Sequence, residues 1–242
     1  MEHRDIRIRS TSGTRGEFDC YVVTPDGQGK VPAIVLASAI HGVDPDLRAI
    51  AEEFGNAGYI AAAPDLFWRT VPGALARGDA RCAPRGQPRH EKIRQGEADL
   101  VDTLTDLSKH ARFNGRAAVM GFCYGGPYAI LGPSYLGYDA GIACHGTQLG
   151  DYVKALEGVT QPLCIIWGDQ DQAAPPEVQA TFRQLSDRKQ NVEVYIFPGV
   201  QHGYMMPGAG AAFDKATRAF SMERALAILK GLRDGARAPQ SA

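Results

Sequence analysis

Cys123 lies in the run Gly121-Phe122-Cys123-Tyr124-Gly125-Gly126, with a glycine two residues away on either side. The run follows the apolar stretch 117–120 and precedes a helix-capable stretch, 127–136. A G-x-C-x-G pattern between strand and helix marks a sharp turn, because glycine leaves room for close strand–helix approach. Such a turn lifts its central side chain to the C-terminal edge of a sheet, in front of a helix N-terminus. The helix dipole and free backbone N–H groups at that point favour negative charge. The chemistry implied is nucleophilic attack by sulfur. Its requirement is a proton acceptor held in one tautomer by a third group.

Downstream candidates occur in the order nucleophile, acid, histidine. The apolar run ending at Trp167 leads into Gly168-Asp169-Gln170-Asp171, which places carboxylates in a loop after a strand. Sites of open α/β sheets lie at such strand ends. Asp171 is the preferred acid, with Asp169 an open alternative. The run ending at Phe197 leads into Pro198-Gly199-Val200-Gln201-His202-Gly203, a histidine in a Gly-rich loop before the last helical pattern.

The elements that must position these residues can be read from periodicity. Residues 6–10 and 18–24 alternate polar and apolar around Ser12-Gly13, as an antiparallel hairpin with one wet face does. Val31–Ala37 is nearly continuous apolar sequence, the mark of a strand buried on both faces of a parallel sheet. Runs 59–63, 117–122, 141–144 and 163–167 read the same way, and 192–197 alternates more, as near an edge. Helical spacing appears at Leu47, Ile50, Ala51 and Phe54, at Val178, Phe182 and Leu185, and at Met222, Leu226 and Leu229. Strands alternating with helices imply right-handed crossovers and a doubly wound sheet. Residues 67–89, with three prolines, three glycines and five arginines, read as a loop or short-helix excursion over the sheet's C-terminal edge. Residues 236–242 read as a frayed tail.

Composition excludes several functions. The 242 residues carry 26 basic and 27 acidic side chains without long runs of either sign, so no footprint for nucleic acid or an anionic membrane is expected. No apolar run approaches membrane-spanning length, and residues 1–5 lack a signal-peptide core. Five widely spaced cysteines suit a reducing, cytoplasmic compartment, with Cys144 and Cys164 as core residues. No HExxH motif or Cys/His cluster calls for a metal, and no cofactor is expected.

The spacing of Cys123, Asp171 and His202 resembles that of the dienelactone hydrolases (carboxymethylenebutenolidases), small α/β-hydrolases, over nearly the whole chain. Residues 32–73 resemble the family's third strand through the loop after its fourth. GFCYGG resembles its nucleophile turn, WGDQDQAAP its acid loop and FPGVQHGY its histidine loop. The resemblance implies one α/β-hydrolase domain over residues 1–242, with a doubly wound, mostly parallel sheet of about seven or eight strands and an N-terminal antiparallel hairpin. It implies Cys123 as nucleophile, His202 as general base and acid, and Asp171 as its orienter. The oxyanion would be held by the backbone N–H groups of Ile40 and Tyr124. The substrate would be a small ester or lactone, and the protein a monomer or weak homodimer.

Two positions depart from the family. A glutamate that contacts the resting thiol is replaced by Ala39, and an arginine that helps hold the substrate carboxylate is replaced by Met206. Arg81 is aligned loosely with the family's other carboxylate-binding arginine. Tyr124, His41, Trp68, His145, Tyr204, Met205 and Met206 together suggest a more apolar pocket, in which His41 or His145 could stand in for the missing acceptor. The expected substrate is less anionic than dienelactone. A broader carboxylesterase or peptide-bond hydrolase, or a degenerate binding or redox-sensing homologue, are the alternatives.

Overall fold

Alternate residues of the third strand pack against opposite layers of helices, and this two-sided burial organises the whole molecule. The computed structural model describes residues 1–11 and 14–235, so the expected Ser12-Gly13 turn and the 236–242 tail lie outside the described residues. The strands are β1 (Glu2–Ser10), β2 (Gly16–Thr24), β3 (Val31–Ala37), β4 (Ile60–Pro64), β5 (Phe113–Phe122), β6 (Ala140–Cys144), β7 (Leu163–Gln170) and β8 (Val192–Gln201). They form one sheet in the order β1-β2-β4-β3-β5-β6-β7-β8. β1 pairs antiparallel with β2, and β2 antiparallel with β4, while β4 through β8 run parallel. This is the mostly parallel sheet with an antiparallel N-terminal pair that the periodicity predicts.

The helices are α1 (Pro45–Asn56), α2 (Cys82–Arg85), α3 (Arg89–Leu107), α4 (Gly126–Leu131), α5 (Pro176–Ser186) and α6 (Lys215–Asp234). Ile34 and Leu36 of β3 join Leu47, Ile50 and Phe54 of α1 and Ala225 and Leu229 of α6 on one face. Ala33, Val35 and Ala37 join Ile93, Leu100 and Leu107 of α3 on the other. Every residue of β3 is therefore buried, which explains the unbroken apolar run. Each large aliphatic or aromatic side chain so buried contributes about 1.5–3 kcal/mol. Among the described residues, no helix is long and apolar enough to cross a membrane.

Helix α3 has no clear apolar periodicity in the sequence, and the structure shows why. Its buried stripe runs Ile93, Gly96, Leu100, Thr103, Leu107, so glycine and threonine occupy positions where large apolar residues would signal a helix. Gly96 is required because the Tyr128 hydroxyl lies 2.0 Å from where its Cβ would stand, and that hydroxyl donates to the Ile93 carbonyl at 3.1 Å. Asp99, also in α3, accepts from both terminal nitrogens of Arg69 at 2.7 and 2.9 Å and from Trp68 Nε1 at 3.2 Å. Neither side chain of this ion pair is more than 8% exposed. It anchors the start of the 67–89 excursion to α3. Asp99→Ala would leave the Arg69 charge buried and unpaired, and should destabilise the fold by about 3–5 kcal/mol in urea unfolding. A loss under 1 kcal/mol would show that this anchor is not needed.

Candidate functional site

The central strand β5 delivers Cys123 to the C-terminal edge. Register pairs Ala37 of β3 with Gly121, and Cys144 of β6 with Phe122. The segment 38–41 therefore emerges on one side of Cys123 and His145 on the other. Cys123 takes φ = +50°, in the left-handed region, a conformation that costs about 1–3 kcal/mol for a non-glycine residue. The chain then passes through a 3₁₀ turn, Cys123–Gly125, into α4. The flanking glycines are obligatory. A Cβ on Gly121 would stand 2.1 Å from the Gly125 carbonyl oxygen, and one on Gly125 would stand 2.3 Å from that of Ala37.

Register likewise brings the other two residues together. Gln170 of β7 pairs with Gln201 of β8, so the next residue of each strand, Asp171 and His202, meets the other beyond the sheet. His202 Nδ1 lies 2.9 Å from both carboxylate oxygens of Asp171. Asp171 is buried and also accepts from the Ala173 N–H at 2.9 Å. Asp169, the alternative acid, is exposed and accepts from the Gly199 N–H at 2.8 Å, tying the ends of β7 and β8 together. The carboxylate at the histidine is Asp171.

Burial alone would lower the His202 pKa, but hydrogen bonds to Asp171 and Cys123, with the negative charge each can carry, push it up to about 10. With Nδ1 committed to Asp171, Nε2 is the nitrogen left for Cys123. An imidazole fixed in this way can both take a proton at the sulfur and return one to a leaving group.

The remaining sequence candidates divide into three groups. Ile40, half-buried in the turn after β3, has an N–H that donates to no backbone carbonyl among the described residues, and the Tyr124 N–H lies in the first turn leading into α4, where helical partners are lacking. Ala39 packs against the α1 and α6 core, and its carbonyl accepts from the Gly42 N–H at 3.0 Å. His145 is 1% exposed at φ = +42°, with its ring edge-on to His202 (4.9 Å between centroids) and to Tyr204 (5.3 Å). Among the described residues, neither of its ring nitrogens has a hydrogen-bond partner. Burial and the neighbouring His202 hold its pKa well below 6.5, so it stays neutral.

The others point elsewhere. His41 Nδ1 lies 3.5 Å from the Cys82 sulfur, and burial and Arg77 lower its pKa. Trp68 stacks on Phe18 and donates to Asp99. Arg81 is ion-paired with Asp79 at 2.7 Å, with its side chain 64% exposed. Tyr204 bonds Ser221 at 2.9 Å, and Met205 and Met206 are buried in the core on the α1 and α6 side. Sequence reasoning missed Arg85, Arg89 and Thr147, which contact the loops around Cys123. Nothing among the five arginines of residues 67–89 marks Arg85 as buried and Arg89 as half-buried beside the site. Among the described residues, no group of three His, Cys, Asp or Glu side chains could hold a metal ion.

Against known proteins, the model of the dienelactone hydrolase family matches residues 18–232. The chain is 28% identical over 236 residues to carboxymethylenebutenolidase 1 of Cupriavidus pinatubonensis, covering 95% of this chain and 97% of that one. It is 25% identical over 230 residues to the carboxymethylenebutenolidase of Pseudomonas putida, covering 94% and 96%. A dienelactone hydrolase-like promiscuous phosphotriesterase from metagenomic libraries has the same fold, with a TM-score of 0.79 at 16% identity over 96% of this chain and 98% of that one.

Proposed function

Because the chain belongs to the dienelactone hydrolase family, we propose that this hydrolase cleaves a lactone or small ester through a thioester to Cys123. The observation that carries the reading is the His202 imidazole, pinned by Nδ1 to a buried carboxylate and electrostatically coupled to Cys123 on its strained turn. Sulfur attacks the carbonyl carbon, and the π electrons move onto oxygen. That oxyanion would be held by the Ile40 and Tyr124 amides. Collapse breaks the bond to the alkoxide oxygen, which takes the proton from His202. In a lactone this oxygen stays tethered to the acyl chain.

Acylation also resets the base. Hydrogen bonding to Cys123 is one of the supports that raise the His202 pKa, while burial opposes it. Once the sulfur is acylated that support is gone, so the imidazole gives up its proton more readily. It can then take a proton from water, which attacks the thioester and expels the sulfur.

Substrate choice follows from the departures. Met206 is buried in the core and Arg81 is paired with Asp79, so neither is presented as a free cation for a substrate carboxylate. Neutral lactones and short esters are the preferred class. The test is acid quenching during turnover of a neutral enol lactone and of 4-nitrophenyl acetate, followed by peptide mass spectrometry. The acyl group is expected on Cys123. Label on another residue would sink the mechanism, and faster turnover of anionic dienelactone than of neutral lactone would sink the substrate class.

A further inference from the structure

Between β4 and α3, residues 85–89 reach the carbonyls of both residues whose amides are assigned above to the oxyanion. Arg85 is 1% exposed. Its guanidinium donates to the carbonyls of Ile40 (3.1 Å), Val71 (2.5 Å) and Gly73 (2.8 Å), and lies 4.3 Å from the centre of the Phe67 ring. Arg89, four residues later, donates to the carbonyls of Tyr124 and Thr147, each at 3.2 Å, and to Thr147 Oγ1 at 2.8 Å. It also lies over the Tyr124 ring at 4.4 Å. Gly86 fits between them: a Cβ there would stand 2.7 Å from Ile40 Cδ1 and 2.8 Å from Tyr124 Cε2.

Peptide planarity turns these contacts into control of direction. An N–H and the preceding residue's C=O share one rigid plane, so fixing the oxygen fixes the hydrogen. The plane carrying the Ile40 N–H ends in the Ala39 oxygen, held by Gly42 N–H, and the next plane ends in the Ile40 oxygen, held by Arg85. The plane carrying the Tyr124 N–H ends in the Cys123 oxygen, which accepts from Thr147 N–H (3.0 Å) and Thr147 Oγ1 (3.2 Å). The next ends in the Tyr124 oxygen, held by Arg89. Both planes around each amide are therefore pinned, and an arginine completes each set.

We propose that Arg85 and Arg89 are positioning residues that aim the Ile40 and Tyr124 amides at the oxyanion. The proposal rests on the Cys123 hydrolase reading and adds that the 85–89 segment supplies the rigidity of the hole. Without it the amides keep their places in sequence but lose their common focus. Charged donors suit this task, because their bonds to carbonyls are stronger than neutral ones.

The test uses Arg89→Gln, Arg89→Lys and Thr147→Val, all at half-buried positions, together with Arg85→Lys. Each is assayed for kcat and KM on a neutral ester, for Tm, and for alkylation of Cys123 by iodoacetamide. Alkylation displaces iodide and builds no oxyanion, so it reports sulfur and imidazole alone. Loss of one oxyanion donor costs about 10²–10³-fold in kcat, and misaiming one should cost at least ~10-fold. Arg89→Gln is expected to show that loss with KM and alkylation within about twofold of wild type, and Arg89→Lys to recover part of it. Unchanged kcat in Arg89→Gln and Thr147→Val would overturn the proposal. So would alkylation falling in step with kcat, since the arginines would then be holding the nucleophile itself. A wild-type protein without Cys123-dependent turnover would overturn the hydrolase reading and this proposal together, a result distinguishable from either of the others.

Discussion

Cys123→Ala should lower ester and lactone turnover by at least about 10³-fold while leaving the fold intact. Alanine meets the same left-handed backbone as cysteine at φ = +50°, so the turn is no more strained than before. The cysteine side chain is half-buried, and removing one sulfur there opens no large internal cavity. Loss of rate can then be assigned to chemistry. The variant keeps both candidate oxyanion amides and the His202–Asp171 pair, so a small residual rate from binding and the oxyanion site is expected. Initial rates on 4-nitrophenyl acetate and a neutral lactone, with Tm as the fold control, decide the matter. Turnover within tenfold of wild type, with Tm unchanged, would mean that sulfur is not the nucleophile.

Asp171→Asn should cost about 10²–10⁴-fold in kcat and shift the titration of His202 downward. The carboxamide is nearly isosteric, but its NH₂ group can face Nδ1 and favour the tautomer with the proton on Nε2. The imidazole then presents a proton to Cys123 where a lone pair is needed. The same substitution removes one of the groups that raise the His202 pKa to about 10, while the burial that lowers it remains. The sign of the stability effect follows. In the wild type the folded protein holds this proton more tightly than the unfolded chain, whose histidine titrates near 6.5. Stability from the pair is therefore full below about pH 6.5 and is lost as pH rises toward about 10. In Asp171→Asn that decline should flatten. NMR of labelled histidine gives the titration directly, and Tm against pH gives the slope. A variant with wild-type kcat and an unmoved His202 titration would remove Asp171 from the mechanism.

How far the chain could be read beforehand depended on where each residue's constraint comes from. Gly121 and Gly125 are dictated by backbone atoms a few residues away or on the adjoining strand, and the pattern they make around Cys123 survives in any alignment of strand to helix. The apolar runs of β3 to β7 were equally readable, because burial on both faces forbids polar residues there. β8 alternates because it is an edge strand, as its half-buried residues confirm. Helix α3 escaped notice because a tyrosine from α4 demands glycine on its buried stripe and an ion pair places Asp99 there. Both are long-range effects with no local sequence signal.

The site divides along the same line. That a nucleophile, an acid loop and a histidine loop follow one another at strand ends is a property of chain order, and chain order is what a sequence records. Which carboxylate meets the histidine was not recorded there. Asp169 and Asp171 are two residues apart at the end of β7, and the β7–β8 register turns one toward the Gly199 amide and the other toward His202. The five arginines of residues 67–89 are similarly indistinguishable in sequence. Folding leaves Arg81 on the surface with Asp79, and buries Arg85 among carbonyls contributed by loops 12 to 45 residues away. Backbone sterics act locally and leave their mark in residue type. A hydrogen bond across the sheet's edge is set by register and loop closure, which exist only once the strands have paired.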